Sequence, residues 1–275
     1  MTKVEQIQDD LLPLLESFFE SGKSSRLESY IVANRNLPSP RANLELAYAL
    51  SGLLDEIKKK DLAKLFSLFI EWGSISSKQA PVNDPKEFLP FCAARAIGKI
   101  GSIEEKFRPK AVNLLRDYSK DNRWRMREAV TMGLQFLLDK YPQQMVDQFN
   151  IWIKDENFLE LRAVVTAYAD PALLTRKVIS QNGLKTHRKV LDIVHASEDR
   201  KSDEFKALRK ALGYTFSLIA TIYTPNSFGV MKKLAATGDK DLQWIVRENM
   251  KKKRLITKFP DKVKEVEKLL DKMKG

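Results

Sequence analysis

Apolar residues recur along this chain every three or four positions and almost nowhere alternate strictly. That spacing predicts helices rather than strands. In residues 41–59 the apolar positions are Leu44, Leu46, Ala47, Leu50, Leu53 and Leu54, close to a 3.6-residue period. The same reading predicts a helix over about 4–20 and a shorter one over 25–34. The turn Leu37-Pro-Ser-Pro-Arg41 carries two prolines, which stop one helix and start the next. Asp61 is the expected N-cap of DLAKLFSLFIEW, and residues 73–85 form the longest polar loop. Helical stretches then come in pairs. EFLPFCAARAIGKI precedes EEKFRPKAVNLLRDYSK, and RWRMREAVTMGLQFLLDKY precedes PQQMVDQFNIWIKD, with Pro142 in a first turn. FLELRAVVTAYA is cut off by Asp170-Pro171, and PALLTRKVISQ and GLKTHRKVLDIVHAS follow as separate segments. DEFKALRKALGYTFSLIATIY, SFGVMKKLAAT, DLQWIVRENMKKKRLI and PDKVKEVEKLLDKMKG complete the chain. The last is charged on most faces, as a terminal cap should be.

One pattern recurs within these helices: an acid, two spacers, a long residue, a spacer, an apolar residue, then arginine. Asp121–Trp124–Met126–Arg127 and Asp241–Trp244–Val246–Arg247 carry it closely, each followed by glutamate. Asp203–Lys206–Leu208–Arg209 and Glu156–Leu159–Leu161–Arg162 are looser copies, while Arg41 and Arg95 keep only the arginine and its apolar tail. Spacings of roughly 30 to 50 residues mark a helical-repeat array. The expected fold is all-α: an α-solenoid of about six helical pairs in a curved right-handed superhelix. One domain covers 1–275, with capping helices at 1–37 and 256–275 and repeats over 38–255. In such a stack the acid satisfies free N–H groups at a helix start. The arginine, almost two turns on, reaches an acid or carbonyl of the neighbouring repeat.

The acid–x–x–Trp–x–apolar–Arg–Glu-Ala helix start at 121–129, the paired helices and the period resemble HEAT repeats over roughly residues 38–255. A further resemblance is to the HEAT-like family that includes alkylpurine DNA glycosylases. It implies a basic face along duplex DNA and an Asp beside aromatic residues that excises cationic alkylated bases. The acid–aromatic pairs at repeat starts are Asp121/Trp124 and Asp241/Trp244, so Asp121, Trp124 and Trp244 are the residues that resemblance would test.

Charge sharpens the picture. Residues 1–100 carry 13 Lys/Arg and 13 Asp/Glu, whereas residues 101–275 carry 35 and 23, so the net charge of +12 lies entirely in the second part. Such asymmetry points to an anionic partner, nucleic acid before an acidic protein or a membrane surface. The apolar runs are too short for a transmembrane helix, and the acidic N-terminus lacks the basic segment of a signal peptide. Cys92 is the single cysteine, in FCAARAIG; it allows no disulfide within the chain, reads as a small core residue and fits a cytoplasmic setting.

Two segments are candidate anion sites. In 116–130, Arg116, Lys120, Arg123, Arg125 and Arg127 surround Trp124; guanidinium groups clamp phosphates and an indole stacks on a base. In 243–262, Arg247, Lys251, Lys252, Lys253 and Arg254 follow Trp244, more cations than a helix C-terminus needs. Lys206, Arg209 and Lys210 open the long helix between them, and Arg125, Arg162, Arg209 and Arg247 would form one basic track. His187 and His195 have no partners at metal-ligand spacing, and no phosphate-loop, dinucleotide or nucleophile-elbow motif occurs. The expectation is therefore a binding module without metal, cofactor or catalysis, taking duplex DNA through backbone contacts. Glycosylase activity and a protein scaffold are the alternatives.

Overall fold

The computed structural model describes residues 1–39 and 41–272. Pro40 of the two-proline turn and residues 273–275 of the last expected helix lie outside the described residues. Those described form α-helices and short 3₁₀ turns and no strand, the all-α class that the periodicity predicts. The chain gathers into two compact units, Met1–Lys140 and Tyr141–Gly275.

In the N-terminal unit, α1 (Lys3–Ser21), α2 (Ser25–Ala33), α3 (Leu44–Leu53), α4 (Lys59–Gly73), α5 (Phe88–Ile103), α6 (Arg108–Tyr118) and α7 (Trp124–Lys140) follow in order. Helices α1, α3, α5 and α7 pack side by side as one row, with α4 and α6 against α5 in a second. This two-row arrangement is the solenoid-like pairing expected of helical repeats. Helix α1 begins with a capping box, Thr2 Oγ1 accepting from Glu5 N at 3.2 Å while Thr2 N donates to Glu5 Oε2 at 2.6 Å. It ends at Gly22, whose φ of 72° only glycine adopts freely. Asp61 lies in the first turn of α4 rather than at its cap, because that helix is capped three residues earlier than expected, at Lys58. The seam between α5 and α7 is the tightest in the unit. A Cβ placed on Gly98 would lie 2.3 Å from Gly133 Cα, so two glycines let the backbones touch. Cys92 is buried in this seam's helix, and burial pushes its thiol well above the usual cysteine range.

The C-terminal unit holds α8 (Pro142–Lys154), α9 (Phe158–Tyr168), α10 (Lys177–Ala196), α11 (Asp203–Ile222), α12 (Thr224–Ala235), α13 (Lys240–Met250), α14 (Lys253–Lys258) and α15 (Pro260–Lys272). Here α9, α11 and α13 form one row, with α8, α10, α12 and α15 flanking it. Phe149 meets both Trp152 and Tyr168 edge to face, at centroid distances of 5.6 and 5.4 Å, closing α8 onto α9. PALLTRKVISQ and GLKTHRKVLDIVHAS, read as separate segments, share helix α10, which runs unbroken through Gly183; Ile219 and Tyr168 pack there, 3.1 and 3.4 Å from where a Cβ would stand. DLQWIVRENMKKKRLI, read as one helix, is two: α13 stops at Met250 and α14 opens at Lys253. The terminal α15 turns Val263, Val266 and Leu270 inward and its charged faces outward.

The caps of three repeat helices also shift. Asn157, Ser202 and Asp239 accept the first free N–H groups of α9, α11 and α13. The repeated acids Glu156, Asp203 and Asp241 sit one residue before that cap or in the first turn after it, which frees Asp241 for the neighbouring helix.

Candidate anion-binding surfaces

The N-terminal cluster divides sharply by burial. Arg123 is 1% exposed, and its guanidinium makes four hydrogen bonds. Nε and Nη2 donate to Asp121 Oδ1 and Oδ2 at 2.9 and 2.6 Å, Nη1 to Ala80 O at 3.1 Å, and Nη2 also to Ile75 O at 2.8 Å. It thus pins the 74–84 segment onto the start of α7. Arg125 is buried too, paired with the buried Glu87 at 3.0 Å and donating to Asn83 Oδ1 and Ser39 O. These two residues differ from the solvent-facing cluster that the sequence suggests, because backbone carbonyls and a buried carboxylate claim their donors. Arg127 Nη1 donates to the carbonyls of Asp121 and Asn122 at 2.7 and 3.0 Å, within its own repeat. Arg116, in the last turn of α6, is partly exposed, and Lys120 is exposed.

Trp124 goes the other way. Its indole is 43% exposed, with the Arg125 guanidinium 4.5 Å from its ring centroid. It forms one wall of a cleft of about 210 Å³ whose other walls include Arg41, Phe91, Glu128 and Met132. Phe91 and Glu128 were not legible as site residues. Each lies on a helix face that reads as core or first-turn charge, and only the packing of α3, α5 and α7 opens the slot.

In the C-terminal unit the repeat arginine Arg209 makes the rung between helices that the pattern predicts. Arg209 of α11 pairs with Asp241 of α13, and its guanidinium lies 4.6 Å from the Trp244 ring centroid. Arg200 Nη1 reaches Asp239 at 2.7 Å and Asp241 at 3.3 Å, and His195 Nδ1 meets Asp239 at 2.9 Å. Burial alone would raise the Asp239 pKa. The bonds from Arg200, His195 and the Leu242 N–H outweigh it and hold the carboxyl below the usual carboxylate range. Arg162 is buried, and Arg247 Nη2 donates to Gln243 at 3.4 Å. Arg200 and Arg209 serve the stacking of helices, whereas Arg247 bonds within its own helix and Arg162 is buried, so these arginines do not present an open track.

The lysines remain outside. Lys206 pairs with Asp203 at 3.0 Å, whereas exposed Lys210 has no acid partner among the described residues. Lys206, Lys210 and Ser217 fall on one stripe of α11, spaced four and seven residues apart. Arg254 Nη1 donates to Ser217 Oγ at 2.9 Å, so Arg254 continues that stripe from α14. Asn249 fixes the junction from beneath, accepting from Ser217 N at 2.7 Å and donating to Leu212 O at 2.8 Å. Lys251 closes α13 and pairs with Glu248. Lys252, Lys253 and exposed Arg254 open α14, where a helix dipole disfavours cations. The dipole therefore accounts for Lys251 alone.

Among the described residues no group of three or more His, Cys, Asp or Glu side chains could hold a metal ion, and no helix is long and apolar enough to cross a membrane. No protein-family model matches the chain, and neither does any curated protein. Among solved structures it is similar to a designed armadillo repeat protein, YIII(Dq)4CqI, at 14% identity and a TM-score of 0.29, over 80% of this chain and 97% of that one.

Proposed function

We propose that the chain is a nucleic-acid-binding module that grips duplex phosphate through its C-terminal unit. The observation that carries this reading is the stripe Lys206–Lys210–Arg254 with Lys252 and Lys253. These cations are exposed or partly so, Arg254 is held by its bond to Ser217, and the helix dipole does not explain them. Contacts of this kind are sequence-tolerant and release counterions. Reversing Lys251, Lys252, Lys253 and Arg254 to glutamate should weaken binding to a labelled 20-base-pair duplex more than tenfold. It should also reduce the slope of log affinity against log salt by about 3. Unchanged affinity and slope in that variant, or no binding by the parent at low salt, would refute the reading and leave a protein scaffold in its place. The HEAT assignment of the repeats belongs to the same proposal.

A second reading, excision of alkylated purines, has the Trp124 cleft in its favour. An exposed indole and the Glu128 carboxylate share that slot, as a cationic base and its developing oxocarbenium ion require. Asp121 does not serve, since both its oxygens accept from Arg123. Release of base from alkylated duplex by the parent, abolished in Glu128→Gln, is the expected result; no release by the parent removes the reading.

A further inference from the structure

Arg95 was legible only as a degenerate copy of the repeat arginine. The structure gives it a setting unlike the others. It stands midway along α5, with its guanidinium carbon 4.4 Å from the Tyr48 ring centroid and 4.7 Å from that of Phe136. Tyr48 comes from α3 and Phe136 from α7, so three helices of one row build the clamp. Its Nε donates to Ser51 Oγ at 2.9 Å, one turn beyond Tyr48 on α3. Two rings and that bond fix the plane of the fork.

What distinguishes Arg95 is what it lacks. Among the described residues no carboxylate lies within ion-pairing distance, and the Ser51 bond is its sole hydrogen bond. Both Nη groups keep their donors. Burial lowers its pKa from the ordinary guanidinium value, with smaller opposing effects from Tyr48 and Cys92. A guanidinium drawn partly out of water without a counter-ion is costly, whereas Arg127, Arg209 and Arg247 spend donors on carbonyls, an acid and a side-chain amide. A second cation lies one turn along the same helix. Lys99 Nζ is 5.2 Å from the Phe136 centroid and 2.7 Å from Asp55, an exposed carboxylate that meets Lys99 and not Arg95. The clamp also adjoins the Trp124 cleft, because Leu44, Phe91 and Met132 of its walls each stand four residues before Tyr48, Arg95 and Phe136.

We propose that Arg95 is an oxyanion receptor, taking a phosphate group bidentately on its Nη edge while the Tyr48–Phe136 sandwich and Ser51 hold it in register. A planar fork fixed in advance loses little freedom on binding, which favours tetrahedral phosphate oxygens presented in pairs. The site belongs to the N-terminal unit and the lysine stripe of the proposed duplex grip to the C-terminal one, and the two proposals stand or fall separately. The phosphate has two sources with the same chemistry: a small phosphate monoester or the backbone of a nucleic acid.

The test uses the full chain with inorganic phosphate and with the 20-base-pair duplex as probes, by calorimetry and anisotropy. Arg95→Gln removes the fork, and Arg95→Lys keeps the charge and much of the packing; circular dichroism confirms that each folds. The expected result is at least a tenfold loss of affinity in Arg95→Gln for one of the two probes, only partly recovered in Arg95→Lys. Loss confined to inorganic phosphate identifies a small phosphate ligand, and loss confined to the duplex identifies the backbone. The Lys251–Arg254 reversal should leave inorganic-phosphate affinity within twofold of the parent, which separates this site from the other. Affinities for both probes unchanged in a folded Arg95→Gln or Arg95→Lys protein, or binding of neither by the parent, would overturn the proposal.

Discussion

Replacing Gly98 by alanine tests the packing on which the N-terminal row depends. The added Cβ would stand 2.3 Å from Gly133 Cα, 2.3 Å from its carbonyl oxygen and 2.5 Å from its carbonyl carbon. Carbon atoms in contact prefer about 3.5–4.0 Å, so α5 and α7 must part by more than about 1 Å locally. The obstacle is backbone and has no rotamer to yield, so the strain falls at the upper end of the usual overpacking range of about 1–3 kcal/mol. Separation also loosens Leu137, whose Cδ2 stands 3.2 Å from the Cβ position of Gly101 one turn along. Against this, alanine gains up to about 1 kcal/mol over glycine inside a helix. The net expectation is a loss of about 2 kcal/mol, read as a lower urea midpoint and a melting temperature lower by about 4–8 °C. Gly229→Ala is the companion measurement. That glycine is exposed within α12 with nothing within 4 Å of its would-be Cβ, so the same substitution there should stabilise by about 0.5–1 kcal/mol. A Gly98→Ala protein as stable as its parent would refute the account of the seam.

Two further outcomes follow from buried polar groups. Arg123→Met should cost about 3–5 kcal/mol, because Asp121 and the carbonyls of Ile75 and Ala80 lose their donor together; the 74–84 segment should then become the first site of limited proteolysis, and an unchanged cleavage pattern would count against the pin. His187 is fully buried, with Nδ1 2.8 Å from Gly183 O and Nε2 3.0 Å from Thr215 Oγ1, so the neutral ring donates to the carbonyl and accepts from the hydroxyl. Burial lowers its pKa to about 4, against the opposing Gly183 bond. The folded pKa lies below the unfolded one, so the stability it contributes is complete above about pH 6.5 and is lost as pH falls towards 4, by up to about 3 kcal/mol. Urea titrations of the parent and His187→Gln across that window should differ in slope, the parent falling more steeply; parallel curves would remove His187 as the cause.

Helix content and pairing were legible because each apolar stripe repeats at the helical period regardless of what it packs against. The registration of Arg209 on Asp241 was legible for a similar reason: an arginine two turns into a helix has a neighbouring first turn within reach. Three features were not. The break between α13 and α14 leaves no Pro or Gly in the sequence, and the Asn249 and Arg254 side chains on either side of it bond to α11, contacts that no local pattern announces. Arg123 and Arg125 read as surface cations because their acceptors lie some 40 residues earlier, in a segment whose polar composition suggests a plain loop. The cleft beside Trp124 is made of residues from three helices, and no local pattern joins Arg41, Phe91 and Glu128.

The same comparison explains why net charge alone misplaces a site in a chain like this one. An arginine at a helix start has acids and carbonyls of neighbouring turns within reach, and Arg123, Arg125 and the repeat arginine Arg209 each pair with an acid, so their charge is neutralised inside the stack. What reaches solvent is the lysine excess around α11 and α14. Arg95 departs from this rule because Tyr48 and Phe136 occupy the places where a neighbouring acid would stand. Aromatic faces orient a guanidinium by its quadrupole attraction without consuming any N–H, whereas a carboxylate consumes two. Substituting rings for an acid therefore converts a structural arginine into one with donors to spare. That happens in the part of the chain whose sequence carries no net charge, where counting lysines and arginines gives no reason to look.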